Sequence, residues 1–202
     1  MKLYHAPGAC SLASLIAAAE YDIKLELAQV DIKASPHLLA DGSDFQVVSP
    51  KGYVPVLELD DGQYLTEGVA ILQYLADQRS TSISKPVEKP LTKYRILEWL
   101  TFVATELHKS FSPWLFHPEY GEQAAAVARA RISDRFDFLE KHLNQSEYLV
   151  ESTFSVADAY CFSIVRWAPG KGINLTSWPA LVAYLERIAS RPKVAHAVQR
   201  HG

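Results

Sequence analysis

Three side chains in this sequence have the types and settings that chemistry needs: a thiol at Cys10, a carboxylate at Glu67 and an imidazole at His108. Cys10 lies in MKLYHAPGACSLASLIAAAE, between a short apolar run that reads as a strand and an amphipathic segment. Leu12, Leu15, Ile16 and Ala19 recur at helical spacing, so a helix opens at Ser11 or a neighbour. Unpaired amides and the dipole at a helix N-terminus stabilise an anion, and a thiolate is one. Cys10 therefore reads as a reactive or thiol-binding residue. A small buried hydrophobe is the competing reading, since free cysteine is commonly buried. The segment alone leaves both open.

Glu67 sits in Thr66-Glu67-Gly68, where a turn meets a helix. Amides there suit a carboxylate, and Glu67 can accept from an ammonium, so a ligand carrying both groups would fit. An ordinary N-cap with an acidic first turn explains the same residues. Val54-Pro55 opens a strand-like run and reads either as a plain strand-entry proline or as a cis bend presenting the backbone of Val54. Glu98, Thr101, Thr105, His108 and Ser112 share one face of a helix. A solvent-facing stripe is the ordinary reading, but hydroxyls and an imidazole suit a wet cleft better than bulk water, and there His108 can donate to a thiolate or act as a general acid. Ser155 and Asp158, three apart before an all-apolar helix, read as a structural capping box. Cys161 inside that helix reads as buried packing.

These residues need elements to position them. Before residue 80, strand-like Lys2–His5, helical Ser11–Glu20 and strand-like Leu25–Val30 are followed by an irregular stretch with a short helix after Pro36. Val54–Leu59 and Tyr64–Leu65 flank Asp60-Asp61-Gly62 as a hairpin, and a helix runs on to about Asp77. The order predicts a four-stranded mixed sheet with three helices, the first crossover parallel and the hairpin antiparallel. Arg79–Pro90 is polar, carries two prolines and lacks periodicity, as linkers do. Beyond it every strong signal is helical: Leu91–Phe111, Glu122–Leu143, Ala157–Ala168, Pro179–Ala189 and a piece after Pro192. The divisions are 1–80, a linker at 81–90, and 91–202.

The chain has 202 residues, 49% of them hydrophobic and 21% charged, a globular balance. The formal net charge of −3 gives no reason to expect nucleic acid as a partner. Residues 1–80 hold five Lys/Arg against eleven Asp/Glu, and residues 81–202 hold fifteen against twelve, which fits two units better than one. No apolar run approaches a membrane span, and the N-terminus lacks a basic start followed by a long apolar stretch. Two cysteines 151 positions apart make neither a disulfide framework nor a zinc pattern, so a cytoplasmic setting is expected.

Together the segments resemble a bacterial beta-class glutathione S-transferase over nearly the whole length. The resemblance is carried by PGACSLA near the N-terminus, Ser49-Pro50-Lys51-Gly52, the Val54-Pro55 pair, LTEGVAILQYLAD at Leu65–Asp77, EWL with ATELHK at Glu98–Lys109, and FSVADAY at Phe154–Tyr160. It implies an α/β thioredoxin-like N-terminal domain that binds glutathione, an all-α C-terminal domain, and a homodimer with glutathione in the cleft between domains. By matching motif positions it implies Cys10, flanked by Ala9 and Ser11, beside the glutathione sulfur. Val54 would pair with the peptide backbone, and Glu67 and Gly68 would hold the γ-glutamyl end. Thr105 and His108 would approach from the helical domain, and Lys33 corresponds to the family's glutathione-binding lysine. Thr101 stands where the family commonly has an Asn that reaches the partner subunit's glutathione.

The activity so implied is attack by a glutathione thiolate on a small electrophile, with Cys10 and His108 as the catalytic residues. Phe111, Trp114, Leu115, Phe116 and Trp167 would line an apolar, aromatic-friendly pocket for it. The alternatives on the same fold are a glutathione-dependent thiol–disulfide oxidoreductase, peroxidase or reductive dehalogenase using Cys10, and a non-catalytic binding protein. Ala13 stands where a dithiol oxidoreductase would carry a second Cys, which argues against a thioredoxin-type reaction.

Overall fold

A computed structural model describes residues 1–82 and 91–202. The chain divides into two compact units, Met1–Pro86 with Arg191–Gly202, and Val87–Ser190.

The first unit is built on a five-stranded sheet in the order β3-β2-β1-β4-β5. The strands are β1 (Lys2–His5), β2 (Glu26–Asp31), β3 (Leu38–Leu39), β4 (Val56–Glu58) and β5 (Tyr64–Thr66). β1 and β2 pair in parallel across the crossover helix α1 (Leu12–Glu20). β4 runs antiparallel to β1 and forms the expected hairpin with β5, with Val56 opposite Thr66. One strand more than expected is present. Its two residues pair Leu39 with Val30 and Leu38 with Asp31, and so short a run leaves no period in the sequence. The helix expected after Pro36 is instead this strand followed by a single 3-10 turn, Phe45–Val47, opened by an Asp44 side chain that accepts from Gln46 N–H at 2.8 Å. Tyr4, Ala6, Val30, Phe45, Val54 and Val56 form one buried cluster of the sheet.

Helix α2 (Gly68–Ser82) follows β5 and buries Ile71, Leu72 and Leu75. It absorbs the first two residues of the linker expected at 81–90; the remainder of that linker lies outside the described residues.

The second unit shows no strand among its described residues. Helix α3 (Thr92–Phe102) continues through a π-helical stretch, Val103–His108, into the short α4 (Lys109–Phe111). The sequence predicts one regular helix here. The π turn inserts a residue and shifts the register of everything beyond it. Helix α5 (Glu122–Leu143) buries Ala128, Ile132, Phe136, Leu139 and Leu143, the stripe its spacing predicts. Helix α6 (Val156–Val165) is buried at every position, as an all-round apolar helix must be. Helix α7 (Pro179–Ala189) completes the unit.

The final helix, α8 (Pro192–His201), groups with the first unit and not with the helical one in which 91–202 placed it. Specific contacts tie it there. Arg191 makes a bidentate pair with Glu20 at 2.8 and 2.7 Å, and Lys193 reaches Asp22 at 2.7 Å. No described helix is long and apolar enough to cross a membrane.

Candidate functional site

In the first unit the β4–β5 hairpin and the start of α1 bring the expected residues together. Val54 precedes β4, so its backbone stands just outside the sheet ladder, and the Val54–Pro55 bond is cis. The Cys10 thiol donates to the Val54 carbonyl at 3.8 Å. Pro55 in turn lies against Gly68, 3.9 Å from where a side chain there would begin. Cys10, Val54, Pro55, Gly68 and Glu67 thus form one continuous run of contacts within a single unit.

Glu67 adopts φ 70°, a left-handed conformation that a non-glycine residue enters at a cost. This kink ends β5 and starts α2 at Gly68, so the first amides of a fifteen-residue helix stand beside the carboxylate. Lys51 Nζ contacts Glu67 Oε1, and it also donates to Thr66 Oγ1 at 3.1 Å. The Tyr53 hydroxyl donates to the same Glu67 oxygen at 2.9 Å. Glu67 raises the pKa of both partners, first by accepting their hydrogen bonds and then through its charge, so Lys51 and Tyr53 hold their protons more tightly. Lys51 and Tyr53 were missed by sequence reasoning, although Lys51 stands in a motif that carried the resemblance.

The lysine that meets Glu67 is Lys51, and Lys33 is placed differently. Lys33 is exposed in the loop after β2, where its backbone N–H donates to Asp31 at 2.9 Å. Ala9 is partly buried against the sheet core. Ser11 is turned fully inward. Its hydroxyl accepts from Ala6 N–H at 3.2 Å and pairs with His201 Nε2 at 3.0 Å, which leaves no surface for a ligand. Helical spacing locates the start of α1 but does not say which way the N-cap hydroxyl points. The first amides of that helix are also engaged: Leu12 and Ala13 N–H donate to the carbonyls of Ala9 and Cys10 at 3.3 and 3.1 Å. Support for an anion at Cys10 therefore comes from the dipole of α1 more than from those two donors.

The two cysteines differ as expected. Cys10 is partly exposed, whereas Cys161 is buried and burial pushes its thiol well above the ordinary range.

In the second unit the π turn presents His108. Its Nδ1 pairs with the Tyr160 hydroxyl at 2.7 Å, and its ring meets Trp167 edge-on at 5.2 Å. Burial, with Lys109 adding to it, lowers the imidazole to about 4, so it is neutral at pH 7. Thr101 and Thr105 are exposed, but each hydroxyl donates to its own helix, to Leu97 O at 2.8 Å and to Thr101 O at 3.0 Å. They remain available as acceptors only. Trp167 gathers the expected aromatic residues: Phe116 at 5.0 Å, Phe111 at 5.9 Å and His108 itself. Trp114 is exposed beside Tyr120. A separate cavity of about 710 Å³ is lined by Trp99, Phe102, Phe138 and His142 among others, and holds none of the residues assigned to glutathione.

Ser155 and Asp158 form the expected cap. Asp158 accepts from Ser155 N–H at 2.8 Å, and also from Leu149 N–H and the Tyr184 hydroxyl at 2.9 and 3.0 Å.

Comparison with known proteins places the chain in a family. Residues 1–77 match the family model of the glutathione S-transferase N-terminal domain, and residues 99–192 that of the C-terminal domain. Glutathione S-transferase GstA of Escherichia coli O157:H7 is 40% identical over 203 residues, covering 100% of this chain and 99% of that one. The chain belongs to the glutathione S-transferase family. Among solved structures, a sphingomonad glutathione S-transferase complexed with glutathione superimposes with a TM-score of 0.92 at 40% identity, covering 100% and 99% of the two chains. The beta-class glutathione S-transferase of Sphingomonas chungbukensis matches equally, with TM-score 0.92, 40% identity and the same coverage. The glutathione S-transferase fold, a thioredoxin-like unit with an all-helical one, is that of this chain.

Proposed function

We propose that this glutathione S-transferase takes glutathione as co-substrate and adds its thiolate to small, apolar or aromatic electrophiles. The observation that carries the reading is the continuity of Cys10, Val54, Pro55, Gly68 and Glu67 in one unit. The residues suit the tripeptide's chemistry. The half-exposed Glu67 carboxylate matches an ammonium. The amides opening α2 match the adjacent carboxylate. The backbone of Val54, outside the ladder, matches a peptide strand. Ala9 and Cys10 flank the sulfur, with Lys33 a further contact to the tripeptide.

Conjugation requires the thiol to lose its proton to solvent, after which the sulfur attacks the electrophilic carbon, the C–S bond forms and a leaving group such as chloride departs with its electron pair. The protein's part is to favour the anion. The dipole of α1 does so, and His108 serves as a donor to the sulfur. Apart from the sulfur, Thr105 contributes an acceptor oxygen for an N–H of the tripeptide, and Thr101 one toward a partner subunit's ligand. The cluster around Trp167 supplies an apolar surface for the electrophile. The active form is a cytoplasmic homodimer, favoured by the opposite charge bias of residues 1–80 and 81–202.

The partial exposure of Cys10 favours a second reading, a monothiol exchange in which Cys10 holds glutathione as a mixed disulfide. One experiment addresses both. Native protein is treated with oxidised glutathione, digested and weighed, and wild type and Cys10→Ala are assayed for conjugation of a chloronitroarene and for reduction of a glutathione mixed disulfide. The added mass is expected on the Cys10 peptide only. Cys10→Ala should abolish thiol transfer and keep conjugation. Loss of both activities would make Cys10 indispensable to the thiolate, and a native protein with neither activity would sink the proposal.

A further inference from the structure

His108 is held by a partner that lies on another helix. Tyr160, in α6, places its hydroxyl 2.7 Å from His108 Nδ1, and the two rings stand edge to face at 5.9 Å. Tyr160 is 5% exposed, so this contact is shielded from water. Trp167 also meets the imidazole edge-on, at 5.2 Å. The π turn is the local device that lets the ring reach α6, since it displaces His108 from the regular face that Thr101 and Thr105 occupy.

A neutral imidazole carries one N–H and one lone pair, and the hydrogen bond at one nitrogen decides which is which. A phenol O–H is the more acidic partner and an imidazole nitrogen the more basic one, so the favoured bond runs from Tyr160 to Nδ1. The proton then belongs on Nε2. We propose that Tyr160 is a positioning residue: its hydroxyl donates to His108 Nδ1, fixes the Nε2–H tautomer and makes His108 a neutral hydrogen-bond donor. The inference rests on the reading that His108 serves the glutathione sulfur. An anion needs an N–H there, and the opposite tautomer would aim a lone pair at it. Burial keeps the ring uncharged, so its work is donation and not proton transfer.

The test combines a spectrum with kinetics. Nitrogen-15 correlation spectra of the imidazoles, assigned with His108→Ala, should show His108 protonated at Nε2 in the native protein and a mixture of tautomers in Tyr160→Phe. Tyr160→Phe should lower kcat for conjugation about tenfold with KM for glutathione within about twofold, because the site still binds but the donor is no longer fixed. His108→Gln, which keeps an N–H near the Nε2 position, should retain more activity than His108→Asn, which does not reach it. A native His108 protonated at Nδ1 overturns the proposal even if Tyr160→Phe fails to fold. A wild-type rate in Tyr160→Phe, beside a slow His108→Ala, overturns the positioning role and leaves that of His108 standing. A wild-type rate in His108→Ala overturns both roles.

Discussion

Glu67 combines a strained backbone with a carboxylate that two side chains hold in place. Its φ of 70° is unfavourable for any side chain with a Cβ, and glycine would occupy it freely. Glu67→Gly should therefore stabilise the first unit, by about 1 kcal/mol at most. The same change removes the carboxylate that Lys51 and Tyr53 hold in place. Glutathione affinity is expected to fall by about tenfold or more, since charge-assisted hydrogen bonds are the stronger class. Thermal melts and titration calorimetry read the two effects separately. Unchanged affinity in Glu67→Gly would remove Glu67 from the site. The placement of Cys10 and of Glu67 was legible because thiol and carboxylate stand beside recognisable helix starts. Lys51 and Tyr53 were not legible as partners. Their reach across 16 and 14 positions is set by the hairpin register, which pairs Val56 with Thr66, and no local pattern encodes that.

Among the elements, α6 depends on the side chain of Asp158. Asp158 is fully buried and accepts from two backbone amides and two hydroxyls, so truncating it leaves several buried donors without a partner. Asp158→Ala should cost about 3 kcal/mol or more in denaturant unfolding, with kcat per folded molecule near wild type. A loss of activity without a loss of stability would instead make Asp158 a site residue. This cap was legible from two residues three positions apart, as were the buried stripe of α5 and the strands β1, β2, β4 and β5. The strand β3 and the π turn at Val103–His108 were not, being too short or too slight a departure from helical spacing to disturb the pattern. The inward turn of Ser11 depends on His201, 190 positions away.

Across the whole molecule, stability should carry a histidine signature in mild acid. His108 is lowered to about 4 by burial and then Lys109, and His5 is lowered by burial and then Arg200. Each binds its proton more readily when the chain is unfolded. Below the ordinary imidazole range the unfolded state gains that proton first, so stability falls as pH drops from about 6.5 to about 4, by about 3 kcal/mol for His108 at most. Melting temperatures measured across that interval should decline, and His108→Gln should flatten the decline. An identical pH profile in that variant would show that His108 does not carry the effect.

The place of α8 bears on how the molecule is made. Its residues follow the entire helical unit in sequence, yet Arg191, Lys193 and His201 are bound to Glu20, Asp22 and Ser11. A ribosome therefore releases the thioredoxin-like unit first and supplies its last helix only after residues 87–190 have emerged. Until then Ser11 beneath the Cys10 turn lacks its His201 partner, so the first unit begins before the helical one and is completed after it.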